Sequence, residues 1–149
     1  MSVRQAVLLV EDSDSDALLV TRAFEQAHIE SPLFRVRDGV EALDYLFARG
    51  TYADRDFRDI PAVILLDLNL PRLDGIQVLK AIRENPRIGN LPIVMLTSSS
   101  DDQDRLQAYD SHVNSFIRKP VSSERFIAAI KEMGLYWLAL NESSPMKVG

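Results

Sequence analysis

The chain has 149 residues, a length that suits one domain with its own hydrophobic core and is short for two ordinary domains. Apolar residues make up 46% of the sequence, which is ordinary for a globular protein. The absence of cysteine excludes a disulfide scaffold, a thiolate metal site and cysteine catalysis. The net charge of −5 argues against a general binder of nucleic-acid backbones. No apolar run approaches the roughly 20 residues of a membrane span, and residues 1–5 do not resemble a signal peptide, so we expect a cytoplasmic protein.

Short apolar segments alternate with amphipathic segments along the chain. Continuous apolar runs predict strands buried on both faces, and apolar residues spaced by three and four predict helices. In chain order, the sequence predicts a strand at residues 6–10, a helix at 17–27, a weak strand at 33–36, a helix at 40–47, a strand at 62–66, a helix at 78–86, a strand at 93–96, a helix at 101–110, a strand at 115–118 and a long helix at 122–140.

Five strands alternating with five helices predict an α/β fold, because strands joined through helices form right-handed crossovers. The expected architecture is a five-stranded parallel sheet with helices on both faces. Gly39 and Gly75, which follow aspartates, are interpreted as backbone-turn residues. In folds of this class the ligand-binding or active site lies at the carboxyl ends of the strands.

Chemistry-bearing residues follow four of the predicted strands. Glu11 and Asp12 come directly after the first strand, Asp67 after the third, Thr97 after the fourth and Lys119 after the fifth. Carboxylates about 4 Å apart repel by about 4 kcal/mol at an effective dielectric of about 20, so the cluster needs a cation. Mg²⁺ prefers oxygen ligands and is usually held by one or two carboxylates together with a phosphate.

The same edge of the predicted sheet has the residues that a phosphoryl-transfer site requires. Asp67 is the candidate nucleophile, since carboxylates form acyl-phosphates in aspartyl-phosphate enzymes. Lys119 suits one phosphate oxygen as a compact positive charge, and the Thr97 hydroxyl can donate a hydrogen bond to another. The hypothesis depends on the convergence of these residues and not on any one of them.

Five motifs, in this order and spacing, resemble the receiver domain of two-component response regulators, which has a (βα)5 flavodoxin-like fold. The motifs are LLVEDS at residues 8–13, DG at 38–39, LLDLNLPRLDG at 65–75, VMLTSS at 94–99 and FIRKP at 116–120. The resemblance extends over nearly the whole chain. It implies a signalling protein that accepts a phosphoryl group from a sensor histidine kinase, and whose own catalysis is limited to its phosphorylation and dephosphorylation.

The resemblance also assigns roles to individual residues. It implies that Glu11 and Asp12 hold Mg²⁺, that Asp67 is both phosphoacceptor and metal ligand, and that the backbone carbonyl of Asn69 binds the metal. The remaining matches to the family's functional positions are Thr97 and Lys119, which would bind the phosphoryl group, and Phe116, which would be the aromatic switch residue.

A narrower resemblance is to the phytochrome-associated response regulators of bacteria and cyanobacteria. It is carried by the long segment at residues 50–61, by the YDSHVNSFIRKP stretch at 109–120 and by the Tyr136-Trp137-Leu138 ending. It implies a phytochrome as the partner kinase.

The sequence predicts a receiver domain at residues 1–140 and a short tail at 141–149, with no output domain. Signalling would then proceed through protein contacts, without direct binding of nucleic acid or membranes. The last predicted helix has an apolar arc of roughly 200°, about twice what one core face needs. We therefore expect a homodimer through this helix, with Tyr136, Trp137 and Leu140 at its centre.

Other functions remain open at this point. The protein could pass the phosphoryl group on to a histidine phosphotransfer protein as a phosphorelay shuttle. A haloacid-dehalogenase-like phosphatase also uses Asp, Mg²⁺, Thr or Ser, and Lys, but its nucleophile follows the first strand with a second Asp two residues later. A flavodoxin-like cofactor carrier would need a phosphate-binding loop after Val10 that the sequence lacks. An interaction module that has lost phosphorylation would not need the intact site.

Overall fold

The computed structural model describes residues 6–97, 115–118, 124–125 and 127–133. In chain order the elements are β1 (Val7–Val10), α1 (Asp14–Gln26), β2 (Leu33–Val36), α2 (Gly39–Phe47), a short 3₁₀ turn (Gly50–Tyr52), β3 (Val63–Asp67), α3 (Gly75–Glu84), β4 (Ile93–Thr97) and β5 (Ser115–Arg118). Residues 127–133 are also helical, and we call them the C-terminal helical segment. The helix predicted at residues 101–110 lies outside the described residues.

The strands form one sheet in the order β2-β1-β3-β4-β5, and every neighbouring pair is parallel. The predicted five-stranded parallel sheet is therefore confirmed. The register pairs Val10 of β1 with Leu66 of β3, and Leu66 with Met95 of β4. These three strands thus end at nearly the same level, and the residues that follow them meet at the carboxyl edge of the sheet.

The core has two layers, one on each face of the sheet. On one face, Leu8 and Val10 pack with buried residues of α2 and α3, while on the other, Val7 and Leu9 pack with buried residues of α1 and the C-terminal helical segment. Alternate strand residues point to opposite faces, so a strand covered on both sides must be apolar throughout. Within the described part of the chain, no helix has the length and hydropathy that a membrane span requires.

Three helices begin at the carboxyl edge of the sheet, each with a side-chain cap. Ser13, Asp38 and Asp74 are the N-cap residues of α1, α2 and α3, and each side chain accepts a hydrogen bond from a backbone N–H in the first turn. A cap of this kind satisfies one of the N–H groups that lack a partner at a helix start, and typically contributes about 1 kcal/mol. The caps fix where each loop at this edge ends and its helix starts.

Gly39 and Gly75 do not serve as turn residues, so that interpretation is wrong. Each is the first residue of a helix, and each allows two backbone segments to approach closely. A Cβ at Gly39 would lie 2.0 Å from the carbonyl oxygen of Leu73, and one at Gly75 would lie 2.5 Å from the carbonyl oxygen of Asp67. The two glycines therefore let the loop between β3 and α3 pack against the start of α2 and the end of β3.

Tyr52 connects the segment after α2 to the start of that helix. Its hydroxyl donates a hydrogen bond to Glu41 Oε2 at 2.5 Å, and Glu41 Oε1 accepts one from the backbone N–H of Arg37 at 2.9 Å. The ring lies edge-on to Tyr45, with 5.3 Å between ring centroids. Burial, together with the hydrogen bond to Glu41, raises the pKa of Tyr52 to about 12.

We expect the free energy of unfolding to fall between pH 10 and pH 12, because the folded state keeps the Tyr52 phenol protonated in this range while the unfolded chain releases the proton. A raised pKa means that folding favours the neutral phenol, so this contribution is complete below the pKa of the unfolded chain and is lost as the pH rises through the folded-state pKa. Urea unfolding at several pH values should show a smaller decline for Tyr52→Phe than for the wild type. Equal declines would contradict the assignment.

Candidate functional site

Three acidic residues meet at the carboxyl edge of the sheet. Glu11 and Asp12 follow β1, and Asp67 is the last residue of the neighbouring β3. One carboxylate oxygen from each residue lies within 4.8 Å of the others. The structure thus brings together three of the predicted site residues.

The three carboxylates differ in their access to solvent. Glu11 is fully buried, Asp67 is 5% exposed and Asp12 is exposed. Glu11 Oε2 accepts a hydrogen bond from the backbone N–H of Ser13 at 3.1 Å, and Asp67 Oδ1 accepts one from the backbone N–H of Asn69 at 3.1 Å. These bonds hold the two buried carboxylates in place, while Asp12 keeps one side of the cluster open to solvent.

The cluster fits a divalent cation with a preference for oxygen ligands. Bringing several carboxylates together is electrostatically costly, and a bound cation removes that cost. The open side at Asp12 leaves space for the water molecules that Mg²⁺ usually retains. The backbone of Asn69 lies beside Asp67, as its hydrogen bond shows, so the fourth predicted metal-site residue is also at this edge.

The other predicted site residues are described in part or not at all. Thr97 is the last residue of β4, one position beyond the residue that pairs with Asp67, and its side chain is not described. Phe116 lies in β5 opposite Met95, again without a described side chain. Lys119 and the predicted dimer residues Tyr136, Trp137 and Leu140 lie outside the described residues.

Arg35 is a neighbour of the site that the sequence did not reveal. Its Nε donates a hydrogen bond to the backbone carbonyl of Glu11 at 2.9 Å, and its NH1 donates one to Asp14 Oδ1 at 2.7 Å. Arg37 NH1 also lies 3.1 Å from Asp14 Oδ1. The hydrogen bond from Arg35 and the charges of both arginines lower the pKa of the Asp14 carboxyl. The sequence feature that could have drawn attention to Arg35 is its charge, at the third position of the otherwise apolar LFRV strand.

Comparison with known proteins identifies the family. Residues 7–131 match the response regulator receiver domain. The chain belongs to this family. Among curated proteins, the receiver is 41% identical over 137 residues to the probable methanogenesis regulatory protein FilR2 of Methanothrix harundinacea (strain 6Ac), an alignment that covers 92% of this chain and 86% of FilR2.

Solved structures extend the comparison to phytochrome-associated regulators. The receiver superimposes on the bacteriophytochrome response regulator RtBRR with a TM-score of 0.80 at 40% identity, covering 98% of this chain and 87% of that one. The phosphorylated cyanobacterial phytochrome response regulator RcpA gives 0.81 at 35% identity, with coverages of 92% and 96%. The Mn²⁺-bound form of response regulator Rcp1, a protein of Synechocystis sp., gives 0.79 at 35% identity, with coverages of 90% and 94%.

These matches confirm the main expectations from the sequence. The protein is a response regulator related to the phytochrome-associated regulators, with a flavodoxin-like receiver fold, and its receiver domain accepts a phosphoryl group from a kinase. It works in signalling with sensor histidine kinases and not as an ordinary enzyme. Receiver domains bind a divalent metal, and the three clustered carboxylates match that property. The family match decides against the phosphatase alternative.

Proposed function

We propose that Asp67 is the phosphoacceptor of this receiver and that Glu11, Asp12, Asp67 and the backbone carbonyl of Asn69 hold a Mg²⁺ ion beside it. The observation that carries the proposal is the cluster of three carboxylate oxygens within 4.8 Å of one another at the ends of two adjacent strands. Asp67 has the position of a nucleophile, because it ends a buried strand whose backbone is held on both sides by β1 and β4.

In the proposed reaction, a carboxylate oxygen of Asp67 attacks the phosphorus atom of the kinase's phosphohistidine. A P–O bond forms, the P–N bond breaks, and the leaving imidazole takes up a proton from water. A bound Mg²⁺ would neutralise the negative charge of the incoming group. The N–H of Asn69 holds one oxygen of Asp67, which limits how the carboxylate can rotate. Burial of Glu11 keeps its carboxylate in one position.

The proposal gives three further residues the roles implied by the family motifs. The Thr97 hydroxyl and the Lys119 ammonium bind the phosphoryl oxygens, and Phe116 changes its packing when Thr97 moves toward the phosphoryl group. Support for Thr97 comes from its place at the end of the strand next to β3. Support for Lys119 and Phe116 comes from the FIRKP motif that includes them.

The proposed partner is a phytochrome-type histidine kinase, because RtBRR and RcpA are named as phytochrome response regulators. Onward transfer to a histidine phosphotransfer protein is the alternative output. The boundary of the receiver at residue 140, a cytoplasmic location and the absence of direct contact with nucleic acid remain predictions from the sequence. So does the homodimer through Tyr136, Trp137 and Leu140, which light scattering over a concentration series tests.

The proposal predicts phosphorylation that depends on Mg²⁺ and needs no kinase. Incubation with acetyl phosphate and Mg²⁺ should add one phosphoryl group to the intact mass, with acetate as the leaving group. Chelation of the metal with EDTA should prevent the gain, because the carboxylate cluster would then repel the phosphodonor. A gain of the same size with EDTA would contradict the metal's role. No gain under any condition would contradict the proposal as a whole.

A further inference from the structure

The turn between β1 and α1 carries two of the three clustered carboxylates, and one arginine side chain is bound to both ends of it. Arg35 Nε reaches the carbonyl of Glu11, where the turn begins, and Arg35 NH1 reaches the carboxylate of Asp14, where α1 begins. Asp12 lies between these two attachment points. The guanidinium thus closes a bridge across the turn that presents Asp12.

The bridge comes from the edge strand of the sheet. Arg35 pairs with Leu9 in the register of β1 and β2, so its side chain lies on the sheet face that α1 covers. The side chain is 23% exposed, so most of it is buried, whereas the Arg37 side chain is 62% exposed. The backbone N–H of Glu11 also donates to the carbonyl of Val36 at 3.0 Å. The strand β2 therefore holds the first residue of the turn by both its N–H and its carbonyl.

We propose that Arg35 is a positioning residue for the metal site, and that it acts by holding the turn at residues 11–14 so that Glu11 and Asp12 stay within reach of Asp67. This inference rests on the proposed function, because it assumes that the carboxylate cluster binds a divalent cation. The guanidinium touches the backbone of Glu11 and the side chain of Asp14, and it acts on the metal only through them.

A positioning role and a purely electrostatic role predict changes of opposite sign. Removing a positive charge near a cation site should strengthen cation binding if the charge were all that mattered. Removing the bridge should instead weaken binding, because the turn loses the Arg35 contact at each of its ends. Outer partners of metal ligands typically contribute tenfold or more to metal affinity, so we expect Arg35→Met to raise the Kd for Mn²⁺ by about tenfold.

The chain supplies two matched controls. Arg37 pairs with the same carboxylate of Asp14, but its side chain is 62% exposed, so Arg37→Met removes a charge and leaves the Arg35 bridge in place. Arg83 is another arginine that binds backbone carbonyls, those of Gly89 and Leu91 at 3.0 and 2.7 Å, at the opposite end of α3 from the site. Arg83→Met therefore reports what the loss of a structural arginine does to Mn²⁺ binding.

The test is a titration of each protein with Mn²⁺, with free Mn²⁺ followed by electron paramagnetic resonance and with no phosphodonor present. The expected result is a Kd about tenfold higher for Arg35→Met, and values for Arg37→Met and Arg83→Met within about twofold of the wild type or lower. Arg35→Lys keeps the charge but cannot span both attachment points, so it should also bind Mn²⁺ more weakly than the wild type. If Arg35→Met does not fold, the Kd of Arg35→Lys tests the positioning role.

The outcomes separate this inference from the proposed function. If the wild type binds Mn²⁺ and both Arg35 variants bind it as tightly, the positioning role is wrong and the proposed function stands. A similar weakening in Arg83→Met would also overturn the inference, since the effect would then be one of general stability. If the wild type itself does not bind Mn²⁺, the proposed function fails and this inference fails with it.

Discussion

Asp67→Asn should abolish phosphorylation under conditions in which the wild type gains one phosphoryl group. Asparagine has nearly the same shape, and its carbonyl oxygen can still accept the hydrogen bond from the N–H of Asn69. Its amide carries no negative charge and is a poor nucleophile, so the step that forms the acyl-phosphate is lost. Intact-mass measurement after incubation with acetyl phosphate and Mg²⁺ provides the test, with no detectable gain as the expected result.

Asp74→Asn is the matched control for this substitution. Asp74 lies at the end of the loop that follows Asp67 and caps α3, and asparagine caps helices about as well as aspartate. This variant should therefore be phosphorylated to the same extent as the wild type. Stoichiometric phosphorylation of Asp67→Asn, with the control behaving normally, would show that another residue accepts the phosphoryl group.

Gly75→Ala should disturb both the fold and the site. The added Cβ would lie 2.5 Å from the carbonyl oxygen of Asp67 and 2.7 Å from the Cα of Leu68, and these are backbone atoms of a buried strand end. Either α3 or the end of β3 must shift, and we expect the free energy of unfolding to fall by about 3 kcal/mol. Because the shift reaches Asp67, the fraction that remains folded should also be phosphorylated more slowly.

Gly50→Ala makes the same chemical change where the neighbouring atoms can move. The nearest atom to the added Cβ would be Asp44 Oδ2 at 2.9 Å, the end of a flexible side chain, although the φ of +58° adds strain. We expect a loss of about 1 kcal/mol in urea unfolding and a normal rate of phosphorylation. If Gly75→Ala proved no more harmful than Gly50→Ala, the close packing at the end of β3 would not matter for stability.

The architecture was predictable from the sequence because the strands are buried on both faces. Leu65 and Leu66 belong to a run with no alternation of apolar and polar residues, which is typical of a central parallel strand. Once the order of strands and helices is known, topology alone places Glu11, Asp12 and Asp67 at one edge. The candidate site was therefore predictable to the level of its three carboxylates.

Side-chain geometry at the edge of the sheet was not predictable in the same way. Arg35 lies in a short strand and is 24 positions from Glu11 in sequence, so its bond to that carbonyl depends on the register of two strands. The same holds for Gly39, because its close approach to the carbonyl of Leu73 joins the start of α2 to a loop that is distant in the chain. Asp14 lies in the first turn of α1, where an acidic side chain complements the helix dipole, but its pairing with Arg35 and Arg37 depends on tertiary structure.

The central claim is that Asp67 carries the phosphoryl group, and chemical mapping tests it most directly. Borohydride reduces an aspartyl phosphate to homoserine, so the wild-type protein should be phosphorylated with acetyl phosphate and Mg²⁺, reduced, digested and sequenced by mass spectrometry. We predict homoserine at position 67, only after phosphorylation and only when Mg²⁺ is present. Homoserine at Asp12 or at any other aspartate, with Asp67 unchanged, would contradict the account.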